Sequence, residues 1–425
     1  MANIAVIGAG YVGLTTAACL AHLGHDVVCA DIDQSKIDLL NAGRIPIREE
    51  GLEEIVVNEL DSGRLRFVLG AANACADADY HYLCVPTPSG PDGAADLTYL
   101  EAAAAEIGPV LRPGSVIVNK STVPVGTTTV VDDIIRRDDI AVVSNPEFLR
   151  EGTAVHDFLN PDRVVIGGAD HDAAVRVSGL YSKLAAPIVI CDAVSAELIK
   201  YASNAFLATK LTFVNEMANL CEKVGADIDD VMLGMGYDAR IGRSFLKPGP
   251  GWGGSCFPKD TAAMVRIAAD AGAELDFIER VIALNDRHFD RIVDKVEKLA
   301  GRPLDQITVA AWGITFKAGT DDRRSSPAIE VIGRLVQRGA TVVAHDPTVT
   351  DAIADLPGVT IAPDPYAAAD GADIVVVLTE WSEYRWLDYA KVADAMATPL
   401  LVDARNLLDR STLVRHGFTT TGVGK

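Results

Sequence analysis

The segment GWGGSCFPKD, residues 251–260, sets a cysteine between a run of glycines and the start of a helix. Pro258 suits the first turn of a helical stretch that continues as KDTAAMVRIAADAG, so Cys256 stands just before a helix N-terminus with Lys259 close by. A helix N-terminus and a nearby ammonium both favour the thiolate, the nucleophilic form. A lone cysteine is usually a small core residue, but a core position has no use for polar, glycine-rich neighbours. The glycines of GWGG are expected to leave room for a ligand. Asp260 follows Cys256 by four residues, one helical turn along the same face. Its plainest role would be to favour the helix dipole from the first turn.

A second set of residues suits a dinucleotide. GAGYVG supplies Gly8, Gly10 and Gly13 between an apolar strand and a helix. In that setting Gly8 permits the tight turn, Gly10 lets the backbone approach a pyrophosphate, and Gly13 lets the helix lie close on the strand. Asp31 ends the next strand, 18 residues after Gly13. A carboxylate there binds both ribose hydroxyls of an adenosine and repels a 2′-phosphate, so NAD is expected rather than NADP. FAD can use the same unit, and a glycine turn without ligand is the bland alternative. NAD beside a nucleophilic cysteine suggests aldehyde oxidation through a thiohemiacetal and a thioester. By itself the pairing does not imply alcohol oxidation.

These residues need a frame. NIAVIG reads as a strand, LTTAACLAHLG as a helix and DVVCADID as a strand, a β-α-β unit. Apolar strands follow at YHYLCVP, SVIVNKS and IAVVSNPE with alanine-rich helical stretches between them, the pattern of a parallel, doubly wound sheet. SAELIKYASNAFLATKLTFVNEMANLCEKVG then runs from Ser195 to Gly225 without a proline or an internal glycine. Leu198, Ala202, Ala205, Phe206, Phe213, Met217 and Leu220 recur at helical spacing, so the stretch predicts one long helix closed by Gly225. Such a helix is long enough to bridge two domains. Beyond it ITVAAWGI, SPAIEVIGRLVQRG, ATVVAHDP and ADIVVVLTE resume the alternation, but the first turn, WGITFKAGTDD, lacks the glycine fingerprint. The expected fold class is α/β. Two doubly wound Rossmann-like domains, residues 1–195 and 301–425, are joined by a long central helix and a helical middle region, 196–300.

Composition narrows the partners. The chain is 49% hydrophobic and 23% charged, the make-up of a soluble globular protein. With 38 basic and 59 acidic residues its net charge is −21, which argues against nucleic acid or an anionic membrane as partner but not against a small anion held by a few cations. The N-terminal MANIAVIGAGYVGL has no basic region and is broken by glycines. No apolar run approaches the roughly 20 residues of a membrane helix. Seven scattered cysteines include no C-x-x-C pair, so neither a disulfide framework nor a zinc site is suggested and a reducing cytoplasm is expected.

Taken together, GAGYVG, KSTVPVGT, NPEFLREGTAVHDFLNPDRVVIG, KYASNAF, RIGRSFLKPGPGWGGSCFPKD and FKAGTDDRRSSP resemble the UDP-glucose/GDP-mannose dehydrogenase family, in its order and over essentially the whole chain. EFLREG, DFLNPDRVVIG and SCFPKD are similar to the branch that acts on UDP-glucose. The resemblance implies oxidation of a primary alcohol at the sugar's C6 to a carboxylate, with two NAD⁺ used in succession. The cysteine traps the aldehyde formed first, and water hydrolyses the thioester formed second. GDP-mannose or a UDP-N-acetylhexosamine are alternative substrates. An NAD-recycling epimerase is a further alternative, one that leaves Cys256 without a role.

Roles for single residues follow from the same resemblance. Cys256 is the nucleophile, and Asp260 orients or deprotonates through an ordered water. Lys200 and Asn204, i and i+4 on the long helix, hold the C6 oxygen and stabilise oxyanions. Glu147 activates the hydrolytic water in concert with Thr122, and Glu151 lies near the nicotinamide. Tyr11, Val12, Lys36, Thr87, Thr122 and Lys259 join Gly8, Gly10, Gly13 and Asp31 around NAD. Arg324 closes on NAD from the C-terminal domain, and Arg323 beside it can exchange roles with it. The nucleotide sugar is contacted by Glu147, Phe148, Leu149, Arg150 and Glu151, then by Phe245, Leu246, Lys247 and Gly253, and by Phe316, Lys317 and Arg405. Arg240 reaches the neighbouring subunit's active site, which makes a homodimer the smallest functional unit, with 196–300 as its dimerisation region. No metal is implied. Trp252 stands where many relatives carry phenylalanine.

Overall fold

Strand β1 (Asn3–Ile7) is apolar on both faces because both are covered, Ile4 and Val6 by one core and Ala5 and Ile7 by another. The chain turns at Gly8, whose φ of 99° favours glycine, and enters the helix Tyr11–His22. The structure, a computed structural model, describes residues 1–88, 90 and 95–425. Among the described residues β1 lies in an eight-stranded sheet with β2 (Asp26–Asp31), β3 (Leu65–Leu69), β4 (Tyr80–Leu83), β5 (Val116–Asn119), β6 (Ala141–Ser144), β7 (Val164–Gly168) and β8 (Ile188–Cys191). The order is β3-β2-β1-β4-β5-β6-β7-β8.

Register decides where the site is. Ile7 lies opposite Ala30 and Leu83, Leu83 opposite Asn119, and Asn119 opposite Ser144. The carboxyl ends of five strands are therefore level. The chain leaves them at Gly8, Asp31, Cys84, Lys120 and Asn145, along one edge of the sheet, where ligands of such sheets bind. The sheet is not parallel throughout: β7 pairs antiparallel with β6. The link between those two strands carries only the six-residue helix Ala154–Leu159 and returns the chain without the crossover that a parallel neighbour needs.

The chain divides into two compact units, Met1–Ser203 with Arg266–Ala271 and Asn204–Val265 with Gly272–Lys425. The second unit has its own sheet, made among the described residues by β9 (Thr308–Trp312), β10 (Thr341–His345), β11 (Thr360–Ile361), β12 (Ile374–Val377), β13 (Leu400–Asp403) and β14 (Thr419–Gly422). Its order is β11-β10-β9-β12-β13-β14, and every pair is parallel.

The long helix runs from Ala193 to Val224 and ends at Gly225, in the left-handed region at φ 78°. Val214, Ala218 and Cys221 of this helix enter the core of the second unit. The apolar residues at helical spacing mostly face outward instead: Leu198, Phe206, Phe213 and Leu220 are exposed, Phe206 to 64%. No helix among the described residues is long and apolar enough to cross a membrane.

Candidate active site

In the first unit each glycine of the opening turn has a distinct surrounding. A Cβ on Gly8 would lie 2.6 Å from the Cys84 carbonyl oxygen, and one on Gly13 1.8 Å from that of Gly8. Both positions are closed to any side chain. Gly10 has nothing within 4 Å and leaves the turn open on that side. Tyr11 and Val12, half-buried, begin the helix. Asp31 Oδ2 accepts from Ala9 N and from Lys36 Nζ, each at 2.9 Å. Burial works against ionisation of this carboxyl, but the Lys36 ammonium and the Ala9 and Asp33 N–H groups outweigh it and hold the group below its usual range. An anion at the end of β2, beside an open glycine turn, fits the adenosine ribose and pyrophosphate of NAD. Thr87 Oγ donates to the Thr122 carbonyl at 2.8 Å and so ties the turn after β4 to the turn after β5.

Glu147 follows β6 and is buried. Its Oε1 accepts from Lys200 Nζ at 2.9 Å, and its Oε2 accepts from Leu149 N at 2.6 Å. Burial raises its pKa, and Lys200, with the Leu149 N–H and Lys120, more than reverses that, so the carboxyl is held ionised. The Phe148 ring meets the Arg163 guanidinium 3.5 Å from its centroid and Lys200 Nζ at 5.4 Å. Arg150 pairs with Asp157 at 2.5 Å, and Glu151 is half-buried next to it in sequence. One buried cation here has no counterpart among the residues expected from sequence. Lys120 Nζ donates to Asn145 Oδ1 at 3.1 Å, and burial pushes its pKa down to about 8, against the pull of Cys84 and Glu147. Lysine in KSTVPV carries no signal that it is buried, which is why sequence reasoning passed over it.

In the second unit Cys256 immediately precedes the helix Phe257–Asp270, and its carbonyl accepts Asp260 N at 2.8 Å. It is thus the cap residue of that helix. Cys256 is half-buried and in no disulfide, with Ser255 Oγ 3.6 Å from Sγ. Asp260 is 1% exposed. It accepts from Asn204 Nδ2 at 2.5 Å and from Lys259 Nζ at 2.7 Å. The lysine expected to favour the thiolate therefore shares its charge with Asp260.

The loop ahead of Cys256 is pinned by side chains that carry no motif. Asn215 Oδ1 accepts Gly249 N at 3.0 Å, and the Gly249 carbonyl meets His288 Nε2 at 2.8 Å. Asn285 holds Trp252 twice, accepting its N–H and donating to its carbonyl, both at 2.9 Å. The Trp252 indole N–H donates to Thr212 Oγ at 2.8 Å, so the larger ring at this position has its polar atom satisfied.

The glycines of this loop do not clear space for a ligand in the way expected of them. A Cβ on Gly251 would meet the Phe289 ring at 2.4 Å, one on Gly253 the Ser325 carbonyl at 2.0 Å, and one on Gly254 the Phe316 ring at 2.8 Å. The unit's own chain fills the room that their missing side chains leave. Gly253 can therefore touch a ligand only through its backbone.

The remaining expected residues of this unit fall into two groups. Phe245 adopts φ 60°, strained for a bulky residue, with its ring 6.2 Å from that of Phe257. Leu246 is buried and Lys247 exposed. Arg405 donates through Nη2 to the Phe316 carbonyl at 3.0 Å and through Nε to that of Leu378 at 2.8 Å. Lys317 Nζ lies 5.4 Å from the centroid of the Phe316 ring. Arg240 and Arg324 stand on exposed turns, each paired with the aspartate two residues before it, Asp238 at 2.6 Å and Asp322 at 2.8 Å. Arg323 is half-buried.

Comparison with known proteins places the whole chain in one family. Residues 2–185 match the NAD binding domain of the UDP-glucose/GDP-mannose dehydrogenase family, 194–287 its central domain and 310–410 its UDP binding domain. The UDP-glucose 6-dehydrogenase of Rhizobium meliloti (strain 1021) is 47% identical over 434 residues, covering 100% of this chain and 99% of that protein. A solved UDP-glucose dehydrogenase from the hyperthermophilic archaeon Pyrobaculum islandicum superposes with a TM-score of 0.91 at 40% identity, over 100% of this chain and 98% of that one. A solved UDP-D-ManNAc dehydrogenase from Pyrococcus horikoshii gives 0.87 at 26% identity, over 99% of each chain.

Proposed function

The chain belongs to the UDP-glucose/GDP-mannose dehydrogenase family, and we propose that it is a UDP-glucose 6-dehydrogenase that converts the C6 alcohol of UDP-glucose to the carboxylate of UDP-glucuronate. The observation that carries this reading is Cys256, a half-buried free cysteine capping a helix whose first turn carries Asp260, buried and paired with Asn204 of the long helix. Gly8, Gly10, Gly13 and Asp31 would hold NAD⁺, which would supply the hydride acceptor for each of two oxidations. Lys200 and Asn204 hold the C6 oxygen, and Asp260 takes its proton through a water. The Cys256 thiolate then adds to the aldehyde carbon and forms a thiohemiacetal, and the second oxidation leaves a thioester. Glu147, with Thr122, turns a water onto that thioester, releasing the carboxylate and the thiolate. Paired with Lys200, Glu147 is a weak base. As Lys200 turns to the substrate oxygen, the carboxylate loses its closest cation and its basicity rises.

Phe148 to Glu151, Phe245 to Lys247, Phe316, Lys317 and Arg405 serve the nucleotide and its diphosphate in this reading, and Arg324 serves NAD. The exposed apolar row of the long helix supports a homodimer, and the outward Arg240 supports its reach into the neighbouring site. The thiols and the lack of a membrane-spanning helix among the described residues suit the cytoplasm. One assay tests the reading, counting NADH per UDP-glucose consumed. Two per sugar is expected. One indicates a simple alcohol oxidation, and none an epimerase. Profiling GDP-mannose and UDP-N-acetylhexosamines beside UDP-glucose tests the choice of sugar.

A further inference from the structure

Glu49 is a buried carboxylate to which the mechanism above gives no task. It is 6% exposed and lies in the loop between the helices Gln34–Asn41 and Leu52–Asp61, with the hydrogen-bond partners of its side chain far off in sequence. Its Oε1 accepts Ala154 N at 2.6 Å and its Oε2 accepts Gly152 N at 2.7 Å. Oε2 also takes the hydroxyl of Tyr11 in a short contact, and the Tyr11 oxygen in turn accepts Gly152 N at 3.0 Å. Burial, and then Glu49 itself, keep the Tyr11 phenol protonated, so it is the donor in that contact. Three groups thus close a triangle on Gly152, whose φ is 80°.

The two ends of this bridge belong to different halves of the proposed site. Tyr11 is the first residue of the helix behind the Gly8–Gly13 turn. Gly152 follows Glu151 directly and ends the segment Glu147–Glu151. Both backbone N–H groups are charge-assisted donors to one carboxylate, among the stronger hydrogen bonds a protein makes.

We infer that Glu49 is a positioning residue that locks the dinucleotide turn to the sugar-binding segment, so that filling one orders the other. The inference rests on the proposed function, because that reading identifies Glu147–Glu151 as sugar-binding and Gly8–Gly13 as NAD-binding. It goes beyond it in assigning a coupling between the two.

The test uses the full-length protein. Dissociation constants for UDP-glucose are measured by calorimetry with and without saturating NADH, a pair that cannot turn over. In the wild type NADH is expected to tighten UDP-glucose about fivefold or more, within the usual range of coupling between sites. Glu49→Gln keeps the size but leaves one of the two N–H donors facing an amide N–H, and the tightening is expected to fall to less than twofold. KM for both ligands is expected to rise about tenfold, from the loss of hydrogen bonds to a charged group. Tyr11→Phe removes a single hydroxyl, leaves both backbone bonds to Glu49 and serves if Glu49→Gln does not fold; it is expected to lose most of the coupling too. The inference is overturned if NADH leaves UDP-glucose affinity unchanged in the wild type. It is also overturned if folded Glu49→Gln or Tyr11→Phe keeps the full coupling with unchanged KM, since a purely structural cap would then suffice. The NADH yield of the wild type separates the two failures: two per sugar with wild-type coupling in the variants sinks only the bridge, whereas any other yield sinks the underlying reading first.

Discussion

Replacing Asn285 by alanine removes both hydrogen bonds that hold Trp252 by its backbone. Asn285 is 6% exposed, so the Trp252 N–H and carbonyl are left with little water to replace it. A buried polar group without a partner costs about 1–3 kcal/mol. Two such groups, partly relieved by movement of the loop, put the loss at about 3 kcal/mol. For a unit of this size each kcal/mol moves the melting temperature by roughly 2–4 °C, so a fall of about 6–12 °C is expected by calorimetry. Cys256 lies four residues after Trp252. A displacement of about 1 Å at a reacting atom can cost a hundredfold in rate, so kcat is expected to fall about tenfold or more. Asn285→Asp supplies the sign. Ionised, its carboxylate still accepts from Trp252 N but faces the Trp252 carbonyl oxygen with no proton to give. Protonated, it can donate there as asparagine does. Its folded pKa is thereby raised, so its deficit against the wild type is full at neutral pH and shrinks as the pH falls through that raised value. An alanine variant melting within about 2 °C of the wild type, or an aspartate variant that weakens further on acidification, would show that Asn285 does not hold the loop.

Cys256→Ser is expected to stop at aldehyde-level chemistry and to form no UDP-glucuronate, read by chromatography of the nucleotide sugars; undiminished acid would refute the nucleophile. Glu147→Gln is expected to complete both oxidations once and then stall as a thioester. A burst of two NADH per site would precede a steady rate at least about 100-fold lower, and intact-protein mass spectrometry would find the adduct; a steady rate without a burst contradicts this. Lys120 titrates near 8 when folded against an ordinary 10.5, so the unfolded chain binds more protons between those values. Its penalty of about 3 kcal/mol is therefore full below pH 8 and fades toward pH 10.5. Lys120→Met gives up one hydrogen bond and is expected to stabilise the protein by about 2 kcal/mol at pH 7 and hardly at all at pH 10.5. Urea unfolding at the two values checks it, and a variant less stable at pH 7 contradicts it.

What sequence could reveal depended on how local the determinant was. The Gly8–Gly13 turn, Asp31 at the end of β2 and the span of the long helix all follow from short-range chemistry, and each stands where its spacing predicts. The strands among the described residues were not equally legible. β3 reads LRFVL with exposed members and β8 is an edge strand with Ile188 and Val189 exposed, so neither shows the buried apolar run that marked β1 or β12. The same limit applies to the site. Cys256 and Asp260 lie one turn apart and could be read together. Glu147 and Lys200 are 53 residues apart, and their contact at 2.9 Å is made by the fold. Asn285, Asn215 and His288 hold the cysteine loop through backbone atoms, which leave no pattern in side-chain types. The GWGG glycines were misread because a missing side chain looks the same in sequence whether a ligand or the Phe289 and Phe316 rings take its place.

Arg240 and Arg324 are each already clasped by an aspartate two residues upstream. A tethered rival is present at high effective concentration and never diffuses away. A singly charged anion such as chloride or acetate meets a guanidinium whose charge is largely answered, and gains little by displacing its owner. A pyrophosphate would bring several oxygens and more than one charge to compete with the clasp. Under the proposed function the two loops would favour a multiply charged ligand over a small anion, by a margin kept small because both arginines are exposed.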